Sequence, residues 1–125
     1  MQRTVPILHI DSYDEAKAYY VNWLGFGIDW EFRLEPGLPV YMQVSRDGLV
    51  LHLSEHKRDN PGGVMCHVEV DDLNALVEEW RSRRVTFNPE IEEMPWNAKH
   101  ISLKDPFGNT LGINQFGTQQ NVGAD

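Results

Sequence analysis

Cysteine occurs once in the chain, at Cys66, so neither an internal disulfide framework nor a cysteine-rich metal cage can be built from it. Such sparing use fits a reducing compartment and leads to the expectation of a cytoplasmic protein. Basic residues are scarce as well. Eleven Lys and Arg against 19 Asp and Glu leave a formal charge of −8, which disfavours nucleic acid or an anionic membrane as partner and suits a cationic ligand. No basic-then-apolar leader is visible, and no apolar run approaches the ~20 residues that span a bilayer. What is present is core material: 41% of the 125 residues are hydrophobic, enough for a single domain over 1–125.

Val5 to Ile10 is a short run with branched residues that reads as a strand. Asp11-Ser12 follows as a helix cap, with Glu15 in capping-box register behind Ser12. Ala16, Tyr19, Tyr20, Trp23 and Leu24 recur at helical spacing, and Gly25 supplies a stop. From Phe26 to Leu34 the pattern alternates, placing Phe26, Ile28, Trp30 and Phe32 on one inward side of a half-buried strand. Leu38–Ser45 and Leu49–Ser54 complete a β-α-β-β-β unit, with a turn at Arg46-Asp47-Gly48 between them.

The polar stretch from Glu55 to Gly63 reads as a linker, and Gly62-Gly63 is no phosphate loop because no lysine and helix start follow at the required spacing. Beyond it come a strand over Val64–Val70, a helix capped by Asp71 or Asp72, and an extended segment over Val85–Ile91. A closing hairpin then joins Lys99–Leu103 to Thr110–Phe116. Its turn, Asp105-Pro106-Phe107-Gly108-Asn109, combines a proline-set φ with two residues, Gly108 and Asn109, that tolerate positive φ. The polar tail from Gly117 to Asp125 is expected to fray.

A shift of sixty residues lays Val5, Ile7, His9, Ser12 and Tyr20 on Met65, His67, Glu69, Asp72 and Trp80. The chain therefore reads as an α+β fold of two βαβββ modules, about 4–55 and 64–116, because each module alone would leave one sheet face bare. Paired sheets would form a curved wall around a cleft, with the helices outside.

Three segments carry a family resemblance: the first helix ending in Ala18-Tyr19-Tyr20-Val21-Asn22-Trp23-Leu24-Gly25-Phe26, the second opening His67-Val68-Glu69-Val70-Asp71-Asp72-Leu73, and the turn Asp105-Pro106-Phe107-Gly108-Asn109. In order and spacing, from about Val5 to Phe116, the chain resembles the glyoxalase, bleomycin-resistance and extradiol-dioxygenase group, the vicinal oxygen chelate superfamily. Metal-using members of that group place ligands on the first and last strands of each module. The resemblance puts those positions at Val5, His52, Met65 and Gly112, of which only His52 offers a donor to a divalent cation. In size, acidity and missing ligands the chain is similar to the metal-free bleomycin-resistance proteins. That likeness implies a homodimer that needs no metal or other cofactor and sequesters a bleomycin-like, aromatic and cationic small molecule in a cleft lined by both chains, without chemistry.

The candidate ligand-binding residues are Trp30, Phe32, Tyr41, Trp96 and Phe116, whose rings stack flat heterocycles and attract cations, with His9, His52 and His67. Ordinary core packing competes for Trp30 and Phe32, whereas Trp96 sits in a loop with less packing reason to exist. His52 on an alternating strand reads as a hydrogen-bonded cavity residue before it reads as a base. The alternative is a metal-dependent lyase, isomerase or dioxygenase using a shifted site of His9, His52, His67 or Glu69. Glu90, Glu92 and Glu93, with Asp59 and Glu55, could form an acidic mouth, although scattered carboxylates usually make a solvated face. His56 and His100 read as surface or rim residues, and Cys66 as a small buried hydrophobe.

Overall fold

The computed structural model describes residues 1–117; of the tail expected to fray from Gly117 to Asp125, Gly117 is held by its N–H to the Asn97 carbonyl at 2.8 Å and the rest lies outside the described residues. The element order is β1 (Ile7–His9), α1 (Tyr13–Ala16) continuing as a π-helical segment (Lys17–Trp23), β2 (Gly27–Phe32), β3 (Tyr41–Arg46), β4 (Leu49–Ser54), β5 (Met65–Glu69), α2 (Leu73–Arg83), β6 (Glu92–Met94), β7 (Ala98–Lys104) and β8 (Thr110–Phe116). The strands form two four-stranded sheets, ordered β1-β4-β3-β2 and β5-β8-β7-β6, which makes this a mixed α+β fold. Two compact units divide the described residues: Met1–Cys66 with Lys104–Thr110, and His67–Leu103 with the chain from Leu111 onward.

In the first unit β1 runs parallel to β4, and the other neighbours are antiparallel. Period-two alternation sends Met42, Val44, Leu51, Leu53 and Leu8 to one face, where they are buried together with Ala16, Tyr19, Tyr20, Trp23 and Leu24 of the helix. Ser12 caps that helix by accepting a hydrogen bond from the Glu15 backbone N–H at 3.2 Å. Beyond Ala16 the helix widens into π geometry, and the Leu24 N–H reaches back to the Tyr19 carbonyl at 2.9 Å. The wider turn accommodates the adjacent buried rings Tyr19 and Tyr20, whose centroids lie 5.0 Å apart edge to face. Apolar spacing alone does not reveal it.

The Asp105–Asn109 turn belongs to this unit and is fastened from inside. The Asp105 carboxylate accepts hydrogen bonds from the Phe107 and Asn109 backbone N–H groups at 2.9 and 2.8 Å, from the Tyr20 hydroxyl at 2.6 Å and from the Asn109 amide at 2.7 Å. Asn109, fully buried, also donates to the His9 carbonyl at 2.7 Å and accepts from the Val64 N–H at 2.9 Å. Of the two residues expected to tolerate positive φ, Gly108 alone has it, at +91°; Asn109 is needed for its amide instead. Gly63, at φ +83°, is pressed so closely against this turn that a Cβ would run into the Gly108 carbonyl, so the second glycine of the pair serves close backbone approach.

In the second unit Asp72 caps α2 by accepting from the Ala75 N–H at 3.0 Å. The segment expected to be extended over Val85–Ile91 contains no strand. It is drawn back onto the end of α2: the Arg81 guanidinium donates to the Phe87 carbonyl and the Asn88 side chain, both at 3.2 Å, and the Phe87 ring meets Trp80 at 6.3 Å. Pairing resumes at Glu92, opposite His100.

Candidate functional site

The open face of the first sheet is decided by one residue. Ile28 of β2 pairs with Val44, but the next paired residue is Trp30, opposite Gln43, so Asp29 is an extra residue bulged out of the ladder. The bulge shifts alternation by one. Trp30 and Phe32, expected on the inward side with Phe26 and Ile28, share instead the open face with Gln43 and Tyr41 and remain 42% and 56% exposed. Core packing therefore does not account for either ring. Trp30 stacks parallel to Tyr41, with 6.1 Å between centroids and 11° between planes, and both rings meet His52 edge-on at 5.3 and 5.2 Å.

Under the rings runs a polar relay. The Tyr41 hydroxyl lies 2.8 Å from His52 Nδ1, and His52 Nε2 lies 3.0 Å from Gln43 Oε1. Arg3, which can only donate, points at Gln43 Oε1 at 3.2 Å, and Gln43 Nε2 donates to the Asp29 carboxylate at 3.0 Å. These two charged neighbours fix the amide orientation. His52 must then carry its proton on Nε2 and present a bare Nδ1, to which the Tyr41 hydroxyl donates. Partial burial, helped by the Arg3 charge, holds the His52 pKa below its ordinary value, which keeps the ring neutral. Burial, and then the Asp59 carboxylate, push the Tyr41 phenol up. Hydrogen bonds from Gln43 and Ser45 hold Asp29 below the usual carboxylate range.

Phe32 and Tyr41 also form one wall of a groove of about 830 Å³ completed by His56, Lys57, Arg58 and Asp59. The segment expected to be a linker thus supplies four of the six residues that line a pocket. It is tied down: Ser54 donates to the Asp59 carboxylate at 2.7 Å, Asn60 donates to the Ile7 carbonyl at 2.7 Å, and the Asp59 carbonyl lies 3.1 Å from His9 Nδ1. His9 is buried and its Nε2 lies 3.0 Å from Asp11, so both ring nitrogens are engaged, Nδ1 with this loop and Nε2 with the turn that follows β1. Glu55 is spent likewise, accepting from the backbone N–H groups of Val40 at 2.9 Å and Tyr13 at 3.1 Å.

The second unit holds the other three candidates. His67 lies 6.2 Å from Phe116, ring to ring, and Trp96 stands 56% exposed in the turn between β6 and β7. Asn114 organises this face. Its amide nitrogen donates to the Gly112 carbonyl at 3.0 Å and lies 3.1 Å from His67 Nδ1, while its oxygen lies 2.8 Å from His100 Nδ1. His67 consequently donates from Nε2 to Glu69 at 2.9 Å. His100, expected at the surface or rim, is part-buried in this network because the Asn114 oxygen needs a donor. Glu90, Glu92 and Glu93 line a groove with Ile91, of about 540 Å³, but the other two carboxylates of the expected acidic mouth are not part of it: Asp59 lines the first unit's groove and Glu55 accepts from backbone N–H groups. Cys66 is half-buried, and burial pushes its thiol up.

The residues at the family's metal positions do not fit a metal. Val5 and Gly112 have no donor atom, Met65 offers only a soft thioether, and His52 has one nitrogen occupied by the Tyr41 proton and the other protonated toward Gln43. Among the described residues no group of three or more His, Cys, Asp or Glu side chains is placed to hold an ion. Sequence reading missed Gln43, Arg3 and Asp29 in the first unit, and Asn114 in the second. Gln43 was within reach, since Tyr41, Gln43 and Ser45 alternate with the apolar Met42 and Val44. Arg3 and Asp29 had no such signal.

A family model described as glyoxalase superfamily protein matches residues 1–121. Among solved structures, a bleomycin-binding protein complexed with bleomycin is 27% identical, with 94% of this chain covering 100% of that one at a TM-score of 0.68. A bleomycin resistance determinant encoded on the transposon Tn5 is 26% identical, with coverage of 94% and 100% and a TM-score of 0.73. A lactoylglutathione lyase from Agrobacterium tumefaciens, 20% identical over 92% of this chain and 94% of its own, has a TM-score of 0.63 and shares the fold. No curated protein matches the sequence. With the family matched over nearly its whole length and two four-stranded sheets in the expected order of elements, the chain belongs to the glyoxalase superfamily.

Proposed function

We propose that this is a binding protein of the bleomycin-resistance type, which sequesters an aromatic small molecule without a metal and without chemical change. The observation that carries the reading is the Trp30–Tyr41 stack, with Phe32 beside it, placed on the open face by the pairing of Trp30 with Gln43 and of Phe32 with Tyr41. Exposed, ordered aromatic faces over a tethered histidine suit a flat heterocycle, and ring faces also attract cationic groups. Lys57 and Arg58 line the neighbouring groove, so the case for a cationic ligand rests on the rings, on Asp59 and on the overall charge of −8 rather than on the rim as a whole. The likeness to two bleomycin-related proteins at 27% and 26% identity supports the same class of ligand. In this reading the protein works as a cytoplasmic homodimer with the ligand in a cleft shared by two chains.

Isothermal titration with metal-free bleomycin, with and without a chelator, tests it. Saturable heat at protein concentrations of about 100 µM, unchanged by chelator, is expected. Absence of heat removes bleomycin as the ligand. Stoichiometric zinc, nickel, manganese or iron in protein purified without added metal favours the metal-dependent lyase, isomerase or dioxygenase alternative. Sedimentation of the free and loaded protein reads the dimer.

A further inference from the structure

We propose that Tyr41 is a hydrogen-bond acceptor of fixed polarity and selects ligands that bring an N–H or O–H donor to the edge of a flat ring. The inference rests on the binding reading above and specifies the chemistry it demands. A phenol can ordinarily donate or accept, whichever its partner needs. Here that freedom is gone. The Tyr41 proton is committed to His52 Nδ1 at 2.8 Å, so what the oxygen has left for a ligand is its lone pairs.

Each step of the commitment is enforced by a group that cannot reverse its role. Arg3 only donates and the ionised Asp29 only accepts, so Gln43 is held with its oxygen toward Arg3 and His52 and its nitrogen toward Asp29. The Gln43 oxygen requires a proton on His52 Nε2, and the neutral ring is then bare at Nδ1. Two surface charges therefore set the polarity of a hydroxyl three hydrogen bonds away. Tyr41 stands where that polarity can be read: it lines the groove with Phe32 and Asp59, its ring lies parallel to Trp30, and the Asp59 charge is felt at its hydroxyl. A ligand stacked on these rings meets an acceptor, and one that offers only another acceptor meets repulsion between lone pairs. Asp59 adds a second acceptor to a groove whose charged donors are Lys57 and Arg58, so the choice is made at the hydroxyl.

Two measurements test this. Long-range proton–nitrogen correlation spectra of the free protein near neutral pH read the His52 tautomer directly; Nε2–H is expected, and a proton on Nδ1 overturns the proposal. Indole and benzofuran then serve as probes, since they share a shape and differ in a single N–H. Chemical-shift titration is expected to show indole binding roughly three- to tenfold more tightly, the span of one net neutral hydrogen bond. Tyr41→Phe should erase the difference, by weakening indole and relieving the lone-pair repulsion on benzofuran. Gln43→Leu, which releases the tautomer, should shrink it. Equal affinities in the wild-type protein, or a preference that survives Tyr41→Phe, overturn the proposal. If a variant fails to fold, the wild-type tautomer and the wild-type probe pair decide alone. Bleomycin heat together with equal probe affinities sinks the Tyr41 inference only, whereas absence of binding by bleomycin and both probes sinks the functional reading with it.

Discussion

Asp105 and His52 stand at the centres of two hydrogen-bonded networks in the same compact unit, assembled from similar parts: a tyrosine hydroxyl, a side-chain amide and a carboxylate. Around Asp105 every member is buried and the partners close on one another, so Tyr20, Asn109 and the turn backbone are satisfied with nothing left over. Around His52 the chain is open at one end. It begins at two solvent-facing charges, Arg3 and Asp29, passes through Gln43 and the imidazole, and finishes on a hydroxyl in a groove. A closed network fixes one backbone geometry, since breaking any bond leaves a buried group unpaired. An open one transmits orientation to a surface where a ligand can respond to it.

The largest effect should come from opening the closed network. Asp105→Ala strands the Tyr20 hydroxyl and two backbone N–H groups, and denaturant unfolding should report a loss of about 3–5 kcal/mol. A loss under ~1 kcal/mol would mean the turn is not held from within. Tyr20→Phe removes a single bond to a charged acceptor, so about 1.5–2 kcal/mol is expected. This variant also has a signature in pH. Burial first, and then the Asp105 charge, push the Tyr20 phenol far above its ordinary value. The folded state keeps that proton longer than the unfolded chain, so the stability Tyr20 contributes is whole below about pH 10 and declines above it. Alkaline unfolding should be steeper in the wild-type protein than in Tyr20→Phe.

On the open network, Trp30→Ala should weaken bleomycin or indole binding about tenfold while shifting the unfolding midpoint little, because the ring is exposed on an edge strand. A large stability loss with unchanged binding would exchange the roles assigned to the two networks. The smallest expected effect is at His52. Its pKa is lowered by burial and then by Arg3, so its contribution is present above the ordinary value of about 6.5 and is lost as pH falls through the depressed one. Protonation of Nδ1 also returns the Tyr41 proton to the groove. The preference for indole over benzofuran should therefore fade as the pH is lowered below the ordinary imidazole value of about 6.5 and through the depressed one, a change that titration at several pH values can follow.

Most of the architecture was legible in local pattern. The caps at Ser12 and Asp72, the alternation of β3 and β4 and the Asp-Pro turn each follow from short-range chemistry, and Thr110–Phe116 lies where the sequence places it. Failures arose where tertiary contacts override periodicity. Val85–Ile91 carries strand-forming residues yet is pulled back by Arg81, a partner that strand propensity cannot anticipate. Of the candidate site, the rings Trp30, Phe32 and Tyr41 were visible as residue types, but their common face was not, because Phe26, Ile28, Trp30 and Phe32 form an unbroken alternation in sequence and a broken one in space.

That break has a consequence for insertion and deletion. Because Asp29 stands outside the ladder, removing it would leave Trp30 opposite Gln43 and Phe32 opposite Tyr41, the register they already have. What would vanish is the anion that orients Gln43. Loss of one codon there should thus spare the aromatic surface and free the imidazole tautomer, separating capacity to bind from the ability to discriminate. A lineage could gain or lose selectivity at this strand by a change of length, with every ring left in place.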